Sequence, residues 1–469
     1  MGGGGAWSTY TVSGSHWAPI RIKVFTDDLD KPARHCTAPM QRRPDFAGGT
    51  VKCRKVDILS VRKKSLLLRE AIPLAVKMHA ERLLVRPESD VPLKVPIFTG
   101  EYCREFSIPD EHHTEGVSGA DMILYAAAGP TEDSTIAWAL ACATNGDGRP
   151  IVGITNVGPE YIKSSAYIIR VLAHELAHAL GFDLDLMNEL RMVTVLNSLR
   201  GKNALVVSTN KTREKARMHY NCSTAPGIEL EDEGGVGTVG SHLERRNAKD
   251  ELMAGIAGAG YYTALTMSIF EDMQFYRANW GMEESMKWGR NAGCSFLNDK
   301  CVKDGVTMHP DLFCTVRKTQ GLTCTSDHQA LGNCLMFTYK KSFPEQFQYF
   351  GDLPKGGPLG ELMDYCPFVA PYSNTNCVSG ASWKMPGSRL GRNSRCLKGD
   401  SLRIGERAVG DICAEVACSN RTLRVRYLGD DAWHMCAEGE TIKPNKTFTS
   451  GEIRCPPYDD VCTGVWPDV

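Results

Sequence analysis

A surplus of basic residues is missing from this sequence. Its 469 residues carry 54 Lys and Arg against 55 Asp and Glu, a net charge of −1. Dedicated nucleic-acid binders show a clear basic excess, so no nucleic-acid partner is expected. Disorder is excluded by composition, because 42% of the residues are hydrophobic and the net charge is small. No CxxC pair occurs, which removes zinc ribbons and thioredoxin-like redox sites. Long apolar runs are also missing. The nearest candidate, Met253 to Phe270, is 18 uncharged residues rich in Gly and Ala between Glu251 and Glu271. That is short for a membrane span and reads as a buried helix packed closely by small residues. The opening MGGGGAWSTYTVSGSHW lacks the basic and apolar parts of a signal peptide, and the ending CTGVWPDV lacks the hydrophobic tail of a glycolipid-anchor signal.

Cysteine, by contrast, is abundant. Eighteen is an even number, and without metal-type spacings it reads as a disulfide framework from an oxidising compartment. The bland alternative is a cytosolic protein with many buried thiols. Four Asn-x-Ser/Thr sequons, at Asn210, Asn221, Asn420 and Asn445, are candidate glycosylation sites and agree with secretion.

The distribution of residues divides the chain into three. Residues 16–183 alternate strand and helix signals. Ile20, Ile22 and Val24 alternate with Arg21 and Lys23 as in a half-buried strand. Residues 57–84 read as helix, with Pro73 a kink or break. Met122–Ala127, Ile136–Cys142 and Ile151–Thr155 are short apolar runs bounded by turn formers, which predicts strands. Residues 165–180 form the clearest helix, with Ser164 or Ser165 as cap and Gly181 to end it. Residues 184–293 are expected to be mainly helical, with a Gly-rich turn at 231–241. Residues 294–469 hold 13 of the cysteines amid many Pro and Gly, which predicts a disulfide-stapled loop and β region. The expected class is multidomain α+β, and no internal repeat is present.

The chemistry centres on His174-Glu175-Leu176-Ala177-His178, an HExxH sequence within the clearest helix. At about 100° per residue, positions i and i+4 lie one above the other, so both imidazoles can reach one Zn²⁺ at about 2.0–2.1 Å. Glu175 lies about a quarter turn away, placed to move protons rather than to bind metal. The bland alternative is two histidines and a glutamate on the polar face of an ordinary helix. Catalytic zinc needs a third protein ligand and an open position. The metzincin pattern HExxHxxGxxH keeps its glycine here as Gly181 but has Leu184 where the third histidine should stand. A thermolysin-like glutamate, Glu189, lacks the acidic residue expected at Val193. His219 and His242 remain. His219 sits in ARMHYNC, which reads as exposed loop. His242 follows the glycine stretch and precedes Met253, a candidate for the methionine under a metzincin zinc site.

The blocks HELAHALGF, GGVGTVGSHLERRNAKDELMAGIAGAGYYTALTMSIFEDMQFY, WGRNAGCSFL, LMDYCP and RCPPY resemble the leishmanolysin family of zinc endopeptidases, from about His16 to Cys462. The resemblance implies a metzincin-like N-terminal catalytic domain. It implies His242 as third ligand, Met253 as the Met-turn residue, and Met363 as a decoy belonging to the C-terminal region. It further implies nine disulfides, for which Cys36–Cys53 and Cys103–Cys142 are the simplest neighbours to pair. The resemblance also implies a pro-segment cysteine and usually a glycolipid anchor; neither stands in this sequence, so the chain reads as a mature, unlatched ectodomain, and any anchor belongs to a longer form. The expected function is hydrolysis of protein and peptide substrates at the cell surface or outside the cell, with one Zn²⁺. The alternatives are a zinc-binding adhesion protein of the same fold with weak or no catalysis, and an exopeptidase.

Overall fold

In the computed structural model, residues 17–463 are described, apart from 88–90, 101, 133–134, 164 and 352. The expected cap at Ser164, like the side chain of Ser165, lies outside them.

The first region is built on a four-stranded sheet. Strands β1 (Ile22–Phe25), β2 (Met122–Ala127), β3 (Ala137–Thr144) and β4 (Pro150–Val157) lie in the order β1-β2-β4-β3. The first three in that order run parallel, with Ile22 opposite Met122 and Ile123 opposite Val152; β3 closes the sheet antiparallel, as its edge. Every residue of β2 is buried, as expected for a parallel strand covered on both faces. Met122 and Leu124 point into the main apolar core, while Ile123, Tyr125 and Ala127 pack with Phe46, Phe106 and Val152 on the other face.

The long helix expected at 57–84 is shorter and segmented. Val61–Leu66 is α-helical, Leu67–Ala71 widens into a π turn, and Ile72–Ala80 (α1) resumes. Pro73 follows closely on the π turn, where the regular helical hydrogen-bond ladder is already interrupted. Leu83 and Leu84, expected as the end of that helix, instead begin a strand, Leu83–Val85.

Helix α2 (Ser165–Ala179) lies against the sheet. Its approach is close: a Cβ on Gly153 of β4 would meet Ala179 Cβ at 2.9 Å. Gly181 ends the helix at φ +109°, a conformation that costs little only for glycine.

Residues 184–293 contain helices α3 (Leu184–Glu189), α4 (Asn210–Tyr220), α5 (Arg245–Ala248) and α6 (Ala264–Asp272). An antiparallel three-stranded sheet, Val193–Leu199, Lys202–Val207 and Ile228–Glu229, was not foreseen. The Met253–Phe270 stretch is not one helix. Residues 253–263 are a succession of turns, and only from Ala264, capped by the Thr263 side chain, does it become helical. The glycines at 255, 258 and 260 favour the turns, which leave backbone carbonyls free for other partners. No described helix is long and apolar enough to cross a membrane.

From residue 294 the fold is mainly β. Two four-stranded sheets, centred on Ile412–Ser419 and on Gly399–Ile404, enclose a separate apolar core from Leu397 to Val461. All 18 cysteines are paired in nine disulfides, Cys36–Cys53 and Cys103–Cys142 among them. Met363 is fully buried, in the main core.

Candidate metal centre

Helix periodicity places His174 and His178 on one face of α2, and the fold brings His242 opposite them. The three Nε2 atoms stand 3.1, 3.1 and 3.3 Å apart. Nitrogens bound tetrahedrally to one ion at about 2.0–2.1 Å are separated by about 3.3–3.4 Å, so the triangle has the size of a metal site.

The protonation pattern agrees. His174 Nδ1 donates to Leu252 O at 2.6 Å, His178 Nδ1 to Phe182 O at 2.8 Å, and His242 Nδ1 to Thr238 O at 3.0 Å. A carbonyl accepts only, so each Nδ1 carries the hydrogen and each neutral ring has a bare Nε2. Burial holds all three rings neutral: it pushes His174 down to about 3, helped by the nearby His242, and lowers His178 and His242 too. Three lone pairs converging without a proton between them repel each other unless a cation lies among them. The donor set therefore fits a zinc ion.

How His242 arrives is a matter of tertiary hydrogen bonding. The Gly-rich segment closes on itself, with Glu231 N–H donating to His242 O and Gly240 N–H to Glu231 O. Leu243 N–H then donates to Met253 O at 2.8 Å. Met253 is fully buried, in the turn whose preceding carbonyl, Leu252 O, holds His174. The far end of that turn is pinned to α2. Arg170 pairs with Glu284 and donates to Gly260 O, and Glu284 accepts from Tyr262 N–H.

His219 is not an exposed loop residue. It lies in the last turn of α4, half-buried, and its Nε2 donates to Trp288 O at 2.9 Å. Glu189 is exposed at the end of α3 and joins no cluster of metal-ligating groups among the described residues. Two other such groups are spoken for. Cys324 and Cys396 are bonded to each other, and the Lys202 ammonium sits among Glu244, Asp232 and Asp364.

The triad opens into a cleft of about 1170 Å³. Glu175 lines it, nearly buried, and burial pushes its carboxyl up to about 8; a dication beside it would act in the opposite direction. One wall is the edge strand β3 with Trp138 and Leu140; Tyr167, Val171, Leu186 and Val236 add apolar surface.

The sequence carries the same message as this geometry. The family profile described as leishmanolysin, peptidase family M8, matches residues 6–467. A leishmanolysin of Leishmania major is 38% identical over 467 residues, covering 96% of this chain and 77% of that protein. The chain belongs to the leishmanolysin family. It is a metalloendopeptidase, of a family that uses zinc. A leishmanolysin homologue of Crithidia fasciculata is 35% identical over 96% of this chain and 71% of its own length. A leishmanolysin-like peptidase of Caenorhabditis briggsae is 28% identical, covering 76% of this chain and 68% of itself.

Sequence reasoning missed the three carbonyls that orient the imidazoles, and the Arg170–Glu284 pair. Leu252, Phe182 and Thr238 act through their backbones, which no side-chain pattern announces. Only Phe182 left a trace, four positions after His178 at the expected helix end.

Proposed function

We propose that His174, His178 and His242 hold one catalytic Zn²⁺ and that Glu175 is the general base and acid of peptide-bond hydrolysis. The observation that carries this reading is the 3.1–3.3 Å triangle of Nε2 atoms, each ring donating its other hydrogen to a carbonyl. Zinc, when bound, supplies Lewis acidity toward a substrate carbonyl and a water molecule. Glu175 takes the proton from the attacking water and passes it to the leaving amine as the C–N bond breaks. Met253 forms the Met-turn, in the central region 184–293, which follows a metzincin-like catalytic region over residues 16–183 and precedes a Cys-rich region over 294–469.

Among the described residues, strand β3 offers an unpaired edge along the cleft. An extended substrate adding to that edge would cross the metal with chain continuing on both sides, which suits an endopeptidase. Nine disulfides support a secreted or surface location. Asn210, Asn221, Asn420 and Asn445 are all exposed, as a glycan would require.

The test is metal analysis beside chelator-sensitive cleavage of an internally quenched, end-blocked peptide. One zinc per chain and loss of cleavage on chelation are expected. His242→Ala should lower zinc affinity by more than about 100-fold, beyond the 10–100-fold typical of outer-shell changes. His219→Ala should leave zinc affinity unchanged. An active, zinc-replete His242→Ala enzyme would overturn the ligand assignment.

A further inference from the structure

One metal-site histidine, His174, leans directly on a backbone carbonyl of a short turn, and the same turn bonds the neighbour of His242; a buried carboxylate grips the start of that turn. Glu251 is 2% exposed. Its Oε2 accepts from Met253 N–H at 2.5 Å. Its Oε1 accepts three bonds: Thr263 N–H at 3.2 Å, Thr263 Oγ1 at 2.9 Å and Thr266 Oγ1 at 2.7 Å. Three of its four donors thus belong to the start of α6, a helix whose residues Leu265 to Phe270 are all buried. The fourth is the turn. No Lys or Arg pairs with Glu251 among the described residues.

Two connections run from the turn to the histidines. Leu252 O, one residue on from Glu251, accepts the His174 Nδ1 hydrogen at 2.6 Å. Met253 O accepts Leu243 N–H at 2.8 Å, next to His242. Met253 N, on the same residue, is the group that Glu251 grips. The carboxylate therefore joins the N-terminus of α6, a natural seat for negative charge, to a backbone that fixes one ligand directly and another through its neighbour.

We infer that Glu251 is a positioning residue for the metal centre, anchoring the Met253 turn so that His174 and His242 aim their Nε2 atoms at one point. This rests on the zinc reading of the His174, His178 and His242 cluster. Glu251 lies outside the set of residues lining the substrate cleft, so it acts on the ligands and not on the peptide. Charge and shape are separable here. A glutamine has the same outline but only one acceptor oxygen. With its oxygen turned to the three α6 donors, its NH₂ faces Met253 N–H, donor against donor. The turn must move, and the carbonyls at 252 and 253 move with it.

The experiment compares the parent protein, Glu251→Gln and His242→Ala in zinc affinity by chelator competition, in kcat and KM separately, and in the visible absorption of the cobalt-substituted proteins. Glu251→Gln is expected to lower zinc affinity by about 10–100-fold, the range for a residue that orients a ligand. It should reduce kcat while KM stays within about twofold, and shift the cobalt bands. Parent-like affinity, kcat and spectrum in Glu251→Gln, with His242→Ala stripped of metal, would overturn this inference alone. A parent that binds no zinc, or a His242→Ala protein that keeps it, would overturn the zinc reading and this inference with it. Thr266→Val and Thr266→Ser supply a second route should Glu251→Gln fail to fold. Weakened zinc binding in the valine variant with recovery in the serine variant supports the role; equal behaviour of the two, in either direction, contradicts it.

Discussion

The catalytic side of the molecule and its C-terminal side solve the same stability problem by different means. Residues 17–293 bury a large apolar core around a mainly parallel sheet and α2, and use two internal disulfides plus Cys222–Cys294 at the boundary. Residues 294–463 add Phe296, Phe313 and Met363 to that core and have smaller clusters of their own, one of which is built largely from Cys377, Cys396 and Cys413 with Leu331 and Met385. Six disulfides close that region. A small core returns little hydrophobic free energy for each residue ordered, and cross-links compensate by restricting the unfolded chain. The division also teaches where precision is kept. Two of the three hydrogen bonds that aim the metal-site imidazoles, those to Leu252 and Phe182, end on buried residues, where displacing a backbone means opening a close-packed core; the third ends on Thr238 in the largely exposed Gly-rich segment.

The largest effect should separate catalysis from stability altogether. Glu175→Gln should reduce kcat by about 10²–10⁴-fold while zinc content and the melting of both parts stay as in the parent. Activity within tenfold of the parent, with zinc bound, would remove Glu175 from the mechanism.

The contrast between packing and cross-linking can be broken directly. Phe182→Ala opens a hole in the packed part, where Phe182 is fully buried, and should cost about 3–5 kcal/mol. Opening Cys436–Cys455 with a pair of serines should cost about 2–5 kcal/mol. Hydrogen exchange should show the first variant loosening residues around α2 and the second loosening only the C-terminal sheets. Loosening that spreads equally over both parts in both variants would show one cooperative unit instead.

Acid should weaken the catalytic side through His79. This side chain is fully buried between α1 and α2, bonded to Ala173 O and Tyr262 Oη, and burial pushes it down to about 4. In the unfolded chain it takes up a proton near its ordinary value of 6.5, while the folded protein still excludes it. Stability is therefore fully present above about pH 6.5, falls as pH drops, and has lost this contribution below about pH 4. The loss amounts to up to about 3 kcal/mol. His79→Gln should flatten the fall in melting temperature across that window; an unchanged slope would assign acid lability elsewhere.

The smallest effect belongs to the surface of the C-terminal side. Arg421 and Asp459 form an exposed ion pair, and Arg421→Ala should change unfolding free energy by less than about 1 kcal/mol. A larger loss in denaturant titration would mean that this region relies on its surface charges as well as its bridges.

Much of the site was legible because it is local. Two of the proposed ligands and the proposed base lie within five residues of one helix, so helical geometry alone fixes their relative directions. Strands β2, β3 and β4 were legible for a similar reason, as apolar runs between turn formers. The stretch 253–263 was misread, because its small apolar residues suit a tight helix and its glycines suit turns equally well. His219 was misread because Cys222 and a sequon nearby suggested a loop, whereas α4 runs through it to Tyr220. The three-stranded sheet at 193–229 left no clean alternation, since its first strand is largely exposed and its last is only two residues long.

By itself, then, the sequence determined the HExxH helix, the glycine that ends it, the presence of a disulfide framework and the family. Each is written in residue identities at short separations or in a count. The tertiary structure decided which histidine completes the triangle, which nitrogen of each ring carries the hydrogen, and how 18 cysteines divide into nine pairs. Those depend on contacts between segments up to 78 residues apart in the chain, and on backbone carbonyls. Every residue type has a carbonyl, so only the folded path of the chain can say where one points.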